Sequence, residues 1–120
     1  KVCKYLRIFG IRVNMTLVFS VSQAILCGLA GATYVSPFIG RMDDNSLDGM
    51  RLINDISSVF KKQFINTMIL AASVRDVQSV GVAFGLGADI CTIPPKVFDN
   101  MASHVLTDKG LEQFNSDFLA

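Results

Sequence analysis

Three short stretches hold the residues best suited to chemistry: Asn14-Met15-Thr16, Ser36-Pro37-Phe38-Ile39-Gly40-Arg41-Met42-Asp43-Asp44, and Ser73-Val74-Arg75. In each, paired residues stand at i and i+2, so an extended backbone points them to one face. Hydroxyls, one amide and two guanidiniums leaving neighbouring strand ends suit a small polyhydroxylated phosphate ester. A guanidinium fork meets two phosphate oxygens at once, and a hydroxyl fills a remaining acceptor position. Each residue also has an ordinary structural use. Thr16 is a good β-branched strand residue, and Phe38 could be core. Arg41 could pair with Asp43 or Asp44, and Arg75 stands beside Asp76. Asn14 inside a strand is costly unless paired, so it needs a polar neighbour on either reading.

Other chemistries have few residues to run on. Cys3, Cys27 and Cys91 are scattered, His104 is the only histidine and Glu112 the only glutamate. Nothing has metal-ligand spacing, and no glycine-rich dinucleotide or phosphate-loop motif occurs, so no metal and no cofactor are implied. The net charge is +1. The only adjacent basic pair, Lys61-Lys62, reads as a solvated helix end, which argues against nucleic acid or anionic lipid as partner. An odd number of cysteines among apolar neighbours implies buried thiols and a cytoplasmic, reducing setting. Residues 13–40 carry no charge, a run long enough for a membrane span. Asn14, Thr16, Ser20, Ser22, Gln23, Thr33, Ser36 and Pro37 interrupt it, so no membrane partner is expected. The first residues do not fit a secretory signal.

The elements that must position these residues alternate along a chain of 120 residues, long enough for one domain with a real core. Residues 1–9 read as the end of a helix stopped by Gly10. Residues 13–19 alternate as a strand, with Val13, Met15, Leu17 and Phe19 on one face and Asn14, Thr16 and Val18 on the other. A helix over 22–30 and a strand over 33–38 follow. After a polar loop, residues 47–63 form the clearest helix, with Ser46 as N-cap and Met50, Ile53, Ile56, Phe60 and Phe64 as its stripe. A strand over 65–72, a helix over 75–86 with Val77, Val80 and Phe84 on one stripe, and a strand over 88–93 come next. Pro94-Pro95 stops that strand. Two helical pieces end the chain, the last with Thr107 as N-cap and Leu111, Phe114 and Phe118 as its apolar stripe.

Four strand–helix alternations predict an α/β fold with a parallel sheet. In a (β/α)8 barrel the three polar pairs would lie at the C-terminal strand ends, where such barrels carry chemistry. A whole barrel needs ~250 residues, so four units are half of one.

Val13-Asn14-Met15-Thr16-Leu17-Val18-Phe19-Ser20, the Ser36 to Asp44 stretch, Ala71-Ala72-Ser73-Val74-Arg75 and Leu106-Thr107-Asp108-Lys109-Gly110, in that order and spacing, closely resemble the small bacterial transaldolases. The chain is similar, less closely, to the related fructose-6-phosphate aldolases. The resemblance covers essentially all of residues 1–120. It implies one domain, the C-terminal half of a transaldolase-type TIM barrel from the end of helix four through strands five to eight, with an extra C-terminal helix.

The resemblance further implies transfer of a dihydroxyacetone unit between sugar phosphates in the pentose phosphate pathway. The intermediate would be a Schiff base on a lysine upstream of residue 1, so this piece alone is expected to be inactive. Lys96, beyond the fourth strand, is the nearest substitute, and its ordinary reading is an exposed helix start. On the family pattern Thr16 holds the catalytic water, while Asn14 and Ser36 bond substrate hydroxyls. Arg41, Ser73 and Arg75 bind phosphate. Phe38 stands where the aldolases carry tyrosine, which favours transaldolase over plain aldol cleavage. Family members form pentameric rings and decamers through the terminal helix, implying a homo-oligomer. Leu111, Phe114 and Phe118 would either reach a neighbour or pack on this barrel. The alternatives are aldolase-type cleavage, or a non-catalytic half-barrel that binds sugar phosphates. A half-barrel alone exposes strand faces and sheet edges, and is expected to pair with another copy or with its missing half.

Overall fold

The computed structural model describes all 120 residues. Its elements are α1 (Val2–Ile8), β1 (Asn14–Val18), α2 (Val21–Leu29), β2 (Tyr34–Pro37), α3 (Ile39–Asp44), α4 (Gly49–Lys62), β3 (Met68–Ala71), α5 (Val77–Gly85), β4 (Ile90–Cys91), α6 (Pro95–Met101) and α7 (Val105–Leu119). The strands form one parallel sheet in the order β1-β2-β3-β4. The order never reverses, unlike a doubly wound sheet, and each strand is joined to the next through helix. These are successive units of the kind a (β/α)8 barrel repeats, four of the eight.

α2 packs on β1 and β2, and α4 packs on β2 and β3 and touches both α2 and α5. The core lies between these helices and the sheet. Ile53 and Ile56 from α4 meet Val35, Ile69 and Ala71 from the strands, all of them essentially inaccessible. On the opposite face Asn14, Thr16 and Met68 stand exposed. The charge-free run breaks into β1, α2 and β2, and no helix is long and apolar enough to cross a membrane. Cys3 and Cys27 are buried, Cys91 is half-buried, and all three are free thiols. Burial pushes the Cys27 and Cys91 thiols up from their ordinary value, with Cys3 adding to the effect on Cys27.

Several local expectations need correction. The segment after β2 is a helix rather than a polar loop. It is too short to show a period, yet Ile39 and Met42, three apart, are both buried. α4 begins later than expected because Asp48 is its N-cap, its carboxylate accepting the Arg51 N–H at 2.9 Å. Ser46 instead takes a left-handed turn, φ 58°. α4 also ends earlier than its periodicity implies, at Lys62, and Phe64 is 89% exposed. On α5 the buried pair is Val80 and Ala83, leaving Val77 and Phe84 exposed. His104, not Thr107, caps α7, its Nδ1 accepting the Leu106 N–H at 3.1 Å. α7 buries no residue, so Leu111, Phe114 and Phe118 do not pack on this sheet-and-helix body.

Candidate active site

The first cluster sits where β1 and β2 run side by side. Asn14 pairs with Tyr34 and Met15 with Val35, but the next partners are Val18 and Pro37. Three steps on β1 against two on β2 make a bulge, and Leu17 takes φ 56° within it. The alternation expected through residues 13–19 therefore fails in its second half. Val18 is buried in the helix-side core instead of sharing the open face with Asn14 and Thr16. Thr16 lies within the bulged stretch, beside Leu17, and is exposed. Ser36 is the polar neighbour that Asn14 requires. Its hydroxyl donates to the Asn14 amide oxygen at 2.7 Å, and Ser36 itself is only 2% exposed. With the oxygen engaged, the exposed Asn14 amide keeps its two N–H donors for another partner.

Phe38 follows β2 and joins the first cluster to the second. Its backbone bridges to Ala72, and its ring lies 6.2 Å from that of Phe19. The guanidinium of Arg41, in α3, lies over the Phe38 ring, 5.4 Å from its centre, a cation–π distance. Arg41 pairs with neither nearby aspartate, because both are engaged elsewhere. Asp43 accepts the Gly49 N–H at 3.1 Å, tying α3 to the start of α4. Asp44 grips Arg75 through both carboxylate oxygens, with Nη2 to Oδ2 at 2.6 Å and Nη1 to Oδ1 completing the fork.

The second cluster surrounds a cavity of about 130 Å³ whose border includes Gly40, Asp43, Ser73, Arg75, Asp76 and Ser79. Ser73, two residues past the end of β3, takes a left-handed conformation, φ 61°. Gly40 is what lets α3 approach so closely. A Cβ there would stand 2.2 Å from the Ser73 carbonyl oxygen and 2.8 Å from its hydroxyl. Arg75 does not engage Asp76, which caps α5 by accepting the Ser79 N–H at 2.8 Å and the Ser79 hydroxyl at 2.9 Å. These bonds hold the Asp76 carboxyl below its ordinary value, as the Arg75 fork does for Asp44.

Asn14 and Ser36 thus touch, Phe38 and Arg41 stack, and Ser73 and Arg75 share a cavity with Gly40. Two contributors were not legible as partners. Asp44 meets an arginine 31 residues away, a distance no local pattern spans. Gly40 reads as an ordinary turn residue until Ser73 is placed against it. Lys96 is an exposed residue in the first turn of α6. No cluster of three or more His, Cys, Asp or Glu side chains is placed to hold a metal ion. The largest cavity, about 710 Å³, is lined by Arg7, Arg12, Thr33, Phe64 and Met68 among others, at the N-terminal ends of β2 and β3. It contains none of the motif residues.

Among solved structures, the chain is similar to mandelate oxidase with (S)-2-phenylpropionate, at a TM-score of 0.62 and 18% identity over 84% of this chain and 31% of that one. Mandelate oxidase with benzoyl-formic acid gives 0.58 and 16% over 76% and 28%. At such identity the likeness shows the fold alone. Curated relatives are much nearer. A probable transaldolase of Paracoccus denitrificans is 53% identical over 118 residues, covering 98% of this chain and 54% of the relative. That of Symbiobacterium thermophilum is 52% identical over 120 residues, covering 100% and 56%. That of Cereibacter sphaeroides is 52% identical over 118 residues. The chain therefore spans about half the length of the curated relatives it matches. The family model described as transaldolase/fructose-6-phosphate aldolase matches residues 1–120, and the chain belongs to that family.

Proposed function

We propose that this chain is the phosphate-binding and water-positioning half of a transaldolase, the C-terminal half of its barrel. Its substrates would be sugar phosphates in the pentose phosphate pathway. The missing N-terminal half would contribute the lysine that forms the Schiff base with a dihydroxyacetone unit. The observation that carries this reading is the convergence of Ser73, Arg75 and Gly40 on one small cavity after β3, the strand paired with the one that carries Ser36. A phosphate held beside Ser73 and Arg75 would lay the rest of a sugar phosphate along the strand ends. There the Asn14 amide can donate to its oxygens. Thr16, on the same open face, would hold the water that forms and breaks the Schiff base. The half-buried apolar ring of Phe38 offers no hydroxyl to organise a second water, which favours transfer over aldol cleavage. α7, exposed along its length, would serve assembly into a homo-oligomer.

The test is borohydride trapping with fructose 6-phosphate, read by intact mass. This chain alone should gain no sugar adduct. Co-expressed with the N-terminal half of the Paracoccus denitrificans relative, the adduct should appear on the supplied half, and Arg75→Ala should raise KM at least tenfold. An adduct on this chain by itself, at Lys96 or elsewhere, would overturn the half-enzyme reading.

A further inference from the structure

We propose that Asp44 is a positioning residue for the phosphate site, holding the Arg75 guanidinium across the cavity mouth with its inner edge turned to the anion. This rests on the phosphate reading of that cavity. A guanidinium has two edges that can bond bidentately, one formed by the two terminal nitrogens and one by Nε with a terminal nitrogen. Asp44 occupies the first, its two oxygens meeting Nη1 and Nη2. The second faces inward. Arg75 borders the cavity, whereas Asp44 is not among its lining residues. Arg75 Nε lies 3.0 Å from where a Cβ on Gly40 would stand, and the Ser73 hydroxyl 2.8 Å from the same point. One planar group can therefore hold the carboxylate outside and a phosphate inside at once.

No other side chain grips Arg75. Asp43 is bonded to the Gly49 amide, Asp76 to Ser79, and Arg41 is stacked on Phe38. Arg75 is more than half exposed, so without Asp44 its torsions are free, and the anion must then order them itself. Negative charge opposes an anion here: Asp43 and Asp76 border the cavity, each accepting a backbone N–H, and Asp44 adds a charge behind the guanidinium. The Asp44 charge lies in solvent, beyond the width of the fork, where water and salt screen it. Ordering outweighs repulsion, which fixes the sign of the expected effect.

The test is titration of the 120-residue chain with inorganic phosphate, followed by the amide signals of Gly40 and Ser73. Asp44→Ala should weaken binding about fivefold, the size of ordering one rotamer-rich side chain. Asp44→Glu should recover most of the affinity, and Asp44→Ala should have no further effect once Arg75→Ala is present. Asp44→Asn serves as a second variant should the alanine disturb α3. Tighter binding in Asp44→Ala would make Asp44 a competitor for Arg75, and unchanged binding would make the pair idle. Either overturns the proposal while leaving the phosphate site standing. Unchanged binding in Arg75→Ala alone would instead sink the phosphate reading, and this inference with it.

Discussion

Gly40 owes its place to the Ser73 carbonyl oxygen, which leaves no room for a side chain on the facing turn. The obstruction is backbone, in the segment that follows β3, and cannot rotate away as a flexible side chain would. Gly40→Ala should therefore push α3 off the end of β3. The expected cost is about 1–3 kcal/mol, the range for forcing extra carbon into a packed contact. Phosphate binding should fall more steeply than stability, because the same movement opens the gap between Ser73 and Arg75. Urea unfolding and phosphate titration of one variant would check both. Ser36 and Asn14 show the complementary case, in which the type of a residue dictates its partner. Each is a polar group in an apolar strand, and each satisfies the other.

Helices were legible where their buried stripe and their stop signal agreed. On α4, Ile53, Ile56 and Phe60 repeat at helical spacing and all are buried. Phe64 continues the same numerical pattern, but the chain turns at Gln63 and Phe64 takes φ 52°, a conformation more often given to glycine. α5 is apolar on two sides, so its sequence could not say which side meets this core. The choice fell on Val80 and Ala83. The parallel sheet followed from alternation alone, whereas α3, with six residues, was too short to have a period. The start of α5 allows a test. Asp76 accepts two bonds from Ser79, so Asp76→Ala should cost about 1 kcal/mol at neutral pH, a typical N-cap value. Its carboxyl is depressed in the folded chain. The stabilisation is thus fully present above the ordinary value of 3.8 and is lost as pH falls through the lower folded value. Wild type and Asp76→Ala, compared by thermal unfolding, should differ at pH 7 and converge in acid.

At the scale of the molecule, the body and the terminal helix are nearly independent. The chain spans 69 × 34 × 27 Å, long for its size, and α7 buries none of its residues. Removing residues 104–120 should leave the urea midpoint of the remaining chain almost unchanged, since no core contact is lost. Assembly should respond instead. If α7 carries the contacts between copies, sedimentation should show the truncated chain as a smaller species at equal concentration. A large drop in midpoint without change in assembly would place α7 on its own body after all.

The cavity beside Ser73 has a consequence for the order in which the protein comes into being. The long-range bonds that shape the site all close within the first 75 residues, 22 residues apart from Asn14 to Ser36 and 31 from Asp44 to Arg75. The last residue on its border is Ser79. A growing chain that has released Ser79 from the ribosome already owns every side chain the pocket uses, before β4, α6 or α7 exist. If the cavity holds phosphate as proposed, ligand present during synthesis would act on that nascent segment.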